Sequence, residues 1–240
     1  IKLIKLLVSG SFLFKKVMKM QNESLIDLYT RKKIIEIGRW LVKKSFTHGS
    51  SGNLSVRRDD RSIFITPSGV PYIEMRPEDI VIIDLDGNVL SGILRPSIEM
   101  WTHIEIYKHR KDVKAIIHSH PIYSSALAIA GKELPPITEE FNIYVGGPVK
   151  LAKFVSAGTR ELGLEVVKAL GDRKAALMAN HGIVTVGRDL DETAFLTEIV
   201  EIHAQMYVMA RIFGEVNVIS SDVLERWKKI YYDKAEISHG

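Results

Sequence analysis

The chain contains no cysteine among its 240 residues. Disulfides, thiolate catalysis and zinc–cysteine sites are thereby excluded, and any metal must be held by His, Asp or Glu. Also missing is a hydrophobic run long enough to cross a bilayer. The longest charge-free stretch of the N-terminal segment, Leu6 to Phe14, is too short, and no small-residue cleavage site follows it. A third absence is a basic excess in the body of the chain. The formal net charge is +4, but residues 1–20 carry five lysines and no acid. Without them the balance of 33 basic to 29 acidic side chains becomes 28 to 29. Basic surface is therefore no argument for a nucleic-acid partner.

What remains is an ordinary globular composition, 46% hydrophobic and 26% charged, in a chain long enough to bury a large core. The chain begins with Ile, and Met18 and Met20 precede a clean helix start. Residues 1–20 are accordingly read as a leader or non-native extension outside the fold, and residues 21–240 as one domain. Cytoplasmic residence, with no membrane partner, is the expectation.

From Ser24 the pattern is helical: Ser24 and Asp27 have capping-box-like spacing, and the apolar period runs to about Ser45. Two short strands follow, around 53–57 and 62–66, and then a hairpin-like pair in "DIVIIDLDGNVLSG" with Asp-Gly at the turn. A helix begins after Pro96 and Ser97, a strand ends in "AIIHSHP", and a helix covers about 122–130. Residues 132–147 read as a loop leading to a short strand, with a helix from about Thr159. "KAALMANHGIVTVGRD" reads as strand, turn, strand, Asp191 opens a long helix, and a last helix covers about 221–231. No linker or repeat divides the chain after residue 20. The fold class expected is α/β, a single domain with a central, mostly antiparallel or mixed sheet flanked by helices.

The stretch "AIIHSHP" carries the first chemical signal. Eight histidines in 240 residues give roughly a quarter of a His-x-His pair by chance, so the pair alone decides little. Strand alternation puts His118 and His120 on one face, where two imidazoles can share an ion, and Ser119 on the other. A strand end with one buried, hydrogen-bonded imidazole explains the same residues. His181, beside Gly182 at a tight turn, would complete a three-histidine set with one coordination position open, which is a catalytic arrangement. "GSSGNLS" and "TPSGVP" each place Gly beside Ser or Asn at a strand end, where amides can converge on phosphate oxygens; as a rule such clusters are simply turns. Ser97 adds a hydroxyl at an expected helix N-terminus. Glu99, two residues on, is either a carboxylate complementing the helix dipole or a metal ligand and general base. His103 would share its face in a supporting or packing role.

Taken in order, "GNLSVR", "ITPSGVPY", "PSIEMWTH", "IIHSHP" and "NHGIVTVG" resemble the class II aldolase and adducin-head family, most nearly its fuculose-1-phosphate aldolase branch, with ribulose-5-phosphate 4-epimerases as relatives. The resemblance covers about residues 24–213. It implies that His118, His120 and His181 ligate a divalent metal, Zn2+ or else Mn2+ or Co2+, one per subunit. Glu99 matches the carboxylate that fills the fourth position at rest and then serves as acid and base. Gly52, Asn53, Ser68, Gly69 and Ser97 match positions that hold substrate phosphate. The implied activity is metal-dependent cleavage of a phosphorylated ketose to dihydroxyacetone phosphate and an aldehyde, in a homotetramer with sites near subunit boundaries.

Two departures bear on substrate. Ile98 stands where the family often has a second serine, and Glu139 stands where fuculose-phosphate aldolases have a tyrosine proton donor; Glu140 and Tyr144 are alternatives for that role. Tyr231 lies near, though not in register with, a C-terminal tyrosine that works across the subunit boundary. A sugar-phosphate epimerase or dehydratase would use the same metal site. A non-catalytic adducin-like binding module need not keep the three histidines and Glu99, which are all present here.

Overall fold

The computed structural model describes residues 25–220 and 222–226. The 1–20 segment, the Ser24 cap and Tyr231 lie outside these, as does the last expected helix apart from a helical stretch at 222–226. Helix α1 spans 25–43. It is followed by β1 (Asn53–Arg57), β2 (Ser62–Ile65), a 3-10 turn at Pro77–Asp79, β3 (Val81–Asp84) and β4 (Val89–Ser91). The chain continues through α2 (Met100–His109), β5 (Ala115–Ser119), α3 (Ile122–Ile129), α4 (Glu139–Val145) and β6 (Lys150–Ala152), and ends in α5 (Arg160–Leu170), β7 (Ala175–Met178), β8 (Gly182–Gly187) and α6 (Leu190–Phe213).

The eight strands form one sheet in the order β4-β3-β2-β1-β5-β8-β7-β6. Every pairing is antiparallel except β6 with β7. Alternation along β3 explains why its strands read as continuous apolar runs. Val81 and Ile83 face one core with α2 and α5, while Ile82 faces a second core with α1. A third cluster packs α3, α4 and α6 on β7 and β8 through Phe141, Leu177, Ile183, Leu196 and Val200. With both faces covered, the inner strands are mainly apolar on both sides, and their few buried polar side chains include Asn53, Ser55 and His118. Each fully buried Ile or Leu contributes about 1.5–3 kcal/mol of transfer free energy to this three-layer stack.

The helix starts follow local chemistry. The Thr159 hydroxyl accepts from the Leu162 amide at 3.2 Å, and an Asp189 carboxylate oxygen accepts from the Glu192 amide at 2.8 Å. Helix α4 corrects the sequence reading, which left residues 132–147 as a loop. It has a Thr138 cap, two glutamates in its first turn and Gly146 at φ +88° behind it. Seven residues are too few to show a helical period, although the caps at both ends were visible.

What this topology does for the site is bring four chain segments to one end of the sheet. β1 begins there, β5 and β7 end there, and β8 begins there, with Asn53 opposite His118, His118 opposite Val184, and Met178 opposite Gly182.

Candidate metal centre

His118 is the fixed point of the site. It is the fourth residue of β5 and is essentially inaccessible. Its Nδ1 donates to the Ile183 carbonyl oxygen at 2.9 Å. That bond assigns the proton to Nδ1 and leaves the Nε2 lone pair facing outward, the tautomer a metal requires. His120 follows the strand, and its backbone amide donates to the Phe46 carbonyl oxygen at 2.8 Å. Its Nε2 lies 2.9 Å from Nε2 of His118.

The third ring arrives through a turn. Asn180 has φ +56°, a conformation Asn tolerates better than most residues, and the His181 amide returns to the Met178 carbonyl oxygen at 3.0 Å. Gly182 must be a glycine for packing reasons, because a Cβ there would sit 2.4 Å from the Ser119 carbonyl oxygen and 2.6 Å from Cδ2 of His120. The three rings have centroid separations of 4.7, 4.7 and 5.2 Å, and one nitrogen from each lies within 4.8 Å of the others. Ser119, between the two strand histidines, is buried, and its hydroxyl has no hydrogen-bond partner among the described residues.

Glu99 closes the set. It is the N-cap residue of α2 and not part of its first turn, as the sequence had suggested, and its side chain makes no cap bond. The carboxylate instead turns to the histidines, with Oε2 at 3.3 Å from His118 Nε2 and Oε1 at 3.5 Å from His181 Nε2. Burial would push this carboxyl up, but the charges of His118 and His181 hold it well below the usual range, at about 2. Burial lowers the basicity of His118, and burial together with the neighbouring rings lowers that of His120 to about 3. Oε2 of Glu99 is buried without a hydrogen bond. Three converging imidazole nitrogens and an ionised carboxylate whose Oε2 lacks a hydrogen bond are a donor set suited to one divalent cation. Three nitrogens and one oxygen without sulfur fit zinc, manganese or cobalt.

The glycine- and serine-rich segments meet beside this cluster. Thr66 bridges β1 and β2, its hydroxyl accepting from the Leu54 amide at 3.2 Å. The Ser97 amide donates to the Thr66 carbonyl oxygen at 3.0 Å, and the Ser68 amide to the Arg95 carbonyl oxygen at 2.9 Å. Gly52, Asn53, Ser68, Gly69 and Ser97 are thus gathered at the histidine end of the sheet. Because the amides of Ser68 and Ser97 are occupied by backbone, any anion there must rely on side chains more than the sequence suggested. Gly52 has φ +71°, and a Cβ on it would meet the His118 carbonyl oxygen at 2.7 Å. Glycine is required where the chain passes the histidine cluster.

The proton-donor candidates stand outside the histidine cluster itself. Glu139 and Glu140 are exposed in the first turn of α4 and are not members of the histidine cluster. Tyr144 packs edge-on against Phe195 and lines a cavity with Lys174 and Arg188. Lys174 precedes β7 and Arg188 follows β8, whereas His181 sits in the turn joining those strands. Tyr144 is therefore at the opposite end of the sheet, and within one chain it cannot serve as the proton donor.

One support escaped the sequence reading, and a second, His103, was expected in a supporting or packing role but without its partners. The Glu201 carboxylate on α6 accepts from the amides of Tyr123 and Ser124 at 2.8 and 2.9 Å and from the Ser124 hydroxyl at 2.7 Å, anchoring α3 just after His120. His103, fully buried, joins Asn53 to Ser55. Neither shows in local periodicity, since each partner is more than 45 residues away.

Residues 32–208 match the family model described as the class II aldolase and adducin N-terminal domain. The chain belongs to the class II aldolase and adducin family. Among curated relatives, the 5-deoxy-D-ribulose 1-phosphate aldolase of Bacillus thuringiensis is 33% identical over 201 residues, covering 83% of this chain and 93% of that protein. The L-fuculose phosphate aldolase of Escherichia coli (strain K12) is 33% identical over 202 residues, covering 82% of this chain and 93% of the relative. A solved structure of an L-fuculose 1-phosphate aldolase superposes with a TM-score of 0.81 at 35% identity, covering 85% of this chain and 96% of that one. The reading of this family member as a metal-dependent carbon–carbon lyase agrees with these relatives. Among the described residues, no helix is long and apolar enough to cross a membrane.

Proposed function

We propose that the chain cleaves a phosphorylated ketose to dihydroxyacetone phosphate and an aldehyde, with one divalent metal per subunit held by His118, His120, His181 and Glu99. The observation that carries this reading is the convergence of three imidazoles and a buried carboxylate next to the segments bearing Asn53, Ser68 and Ser97. Relatives named for fuculose phosphate and 5-deoxyribulose 1-phosphate support a ketose 1-phosphate as substrate.

A divalent cation in this site supplies a Lewis acid for the ketose carbonyl and for the negative charge left when the C3–C4 bond breaks. The protein's own groups do the rest. Glu99 delivers a proton to the carbon that loses its C4 partner, and recovers it for the reverse reaction. A second group takes the proton of the C4 hydroxyl as the aldehyde forms; Glu139 and Tyr231 are the candidates. The side chains of Asn53, Ser68 and Ser97, with the glycines Gly52 and Gly69 between them, hold the phosphate away from the reacting bond and so orient it. A cytoplasmic homotetramer with sites near its subunit boundaries completes the proposal.

Product analysis tests it. Zinc-loaded protein incubated with a panel of ketose 1-phosphates should release dihydroxyacetone phosphate in step with loss of ketose. An epimer, or a dehydrated product with no dihydroxyacetone phosphate, would instead assign the site to epimerase or dehydratase chemistry.

A further inference from the structure

A buried hydrogen-bonded chain runs from the proposed phosphate site into the core between α2 and β1. Asn53 Oδ1 lies against Nε2 of His103; Nδ1 of His103 is 2.6 Å from the Ser55 hydroxyl; and that hydroxyl is 3.0 Å from the Tyr107 hydroxyl. Asn53, Ser55, His103 and Tyr107 are all at most 3% exposed. We propose that His103 is a positioning residue for substrate phosphate, its Nε2–H holding the Asn53 carboxamide with oxygen turned to the core and its NH2 presented to the site. This rests on the reading of the site given above.

Two proton arrangements satisfy the chain, and they have opposite consequences. In one, the Tyr107 hydroxyl donates to Ser55, Ser55 donates to Nδ1 of His103, and Nε2–H donates to Asn53 Oδ1. The amide then shows two N–H donors to the site, which suits a phosphate. In the other, every bond is reversed: His103 carries its proton on Nδ1, Nε2 accepts from the Asn53 amide nitrogen, and the carbonyl oxygen faces the site. An anion would then meet a lone pair.

The far end of the chain decides between them. Reversal requires the Tyr107 proton to find another acceptor, and the one in reach is the Lys114 carbonyl oxygen at 3.5 Å, against 3.0 Å for Ser55. The longer contact is marginal as a hydrogen bond, so the Tyr107-to-Asn53 direction is favoured. Ser55 sits two residues after Asn53 on β1, on the same face of the strand, and β1 is pinned between β2 and β5. The relay is therefore fixed in space at both of its strand positions. The occupied amides of Ser68 and Ser97 give the Asn53 NH2 added weight, because fewer backbone donors remain for the anion.

The experiment has two readouts. Long-range 1H–15N spectra of wild-type protein labelled in histidine, with the His103 signal assigned by its loss in His103→Gln, should show a neutral ring protonated at Nε2. A ring protonated at Nδ1 overturns the proposal whatever reaction the protein performs. Inorganic phosphate is then titrated, followed by 31P NMR, into wild type, His103→Gln and His103→Leu. Glutamine can still donate to Asn53, so its affinity should stay within about threefold, while leucine should weaken binding about tenfold, as expected for one hydrogen bond to an anion. With ketose phosphate the loss in His103→Leu should fall on KM and spare kcat. Equal phosphate affinity in wild type and His103→Leu overturns the proposal. An Nε2–H ring in a wild type that binds no phosphate leaves the relay standing but removes its purpose, which also overturns it. Should the leucine variant fail to fold, the wild-type tautomer still decides.

Discussion

His118 donates from Nδ1 to the carbonyl oxygen of Ile183, joining β5 to β8 through a side chain and turning its free nitrogen to the neighbouring rings. In the proposed metal site this bond would make His118 the ligand whose orientation depends least on the metal. Replacing it with alanine should remove stoichiometric zinc binding while leaving the sheet intact, since Asn53 and Val184 still pair with residue 118 through backbone. Metal content by elemental analysis, beside a circular dichroism spectrum, checks this: less than about a tenth of wild-type zinc in a folded protein is expected.

Glu99→Gln separates binding from chemistry. Glutamine keeps the shape of the side chain and loses its proton-carrying ability. Zinc should remain bound, weakened by about ten- to a hundredfold, while turnover falls by about 10² to 10⁴. Steady-state kinetics at saturating zinc distinguish the two effects; unchanged kcat would remove Glu99 from its role as base.

Metal-free protein should lose stability as pH falls from 6.5 toward 3. Burial, followed by the nearby His118 charge, lowers His103 to about 3, so the unfolded chain takes up a proton in this window that the folded chain refuses. The folded state is therefore progressively disfavoured as pH drops. In His103→Gln the corresponding slope should be shallower. Urea midpoints for the two proteins between pH 7 and 4 read the difference directly.

Gly182→Ala and Gly69→Ala should behave differently although both add one methyl group. At Gly182 the new Cβ collides with the Ser119 backbone and the His120 ring, whereas at Gly69 it meets open space and encounters only the strain of φ +76°. A cost of about 1–3 kcal/mol is expected for the first and of about 1 kcal/mol for the second. Zinc content should drop in Gly182→Ala and be unaffected in Gly69→Ala.

Much of this was legible before any coordinates because the informative residues sit at element ends. The apolar run of β5 announced a strand and alternation within it placed His118 and His120 together; the turn at His181–Gly182 offered a third ring, which the family resemblance joined to them. The short helix α4 was missed because seven residues carry no period. The Glu201 support of α3, and the partner of His103, whose supporting role was expected, were not legible for a different reason. They join residues 77 or 78 and 50 positions apart, and such contacts are set by packing of distant elements, which no local pattern encodes. The Tyr144 alternative failed on topology: helix α4, which carries it, places it at the end of the sheet away from the histidines.

The central claim is that these three histidines and Glu99 hold the metal that makes ketose-phosphate cleavage possible. The most direct measurement is release of dihydroxyacetone phosphate from a ketose 1-phosphate by protein stripped with a chelator and then titrated with zinc. Activity should be absent after stripping, return in proportion to added zinc, and level off at one equivalent per chain; His118→Ala should stay inactive throughout. Full cleavage by the stripped protein, or by His118→Ala, would contradict it.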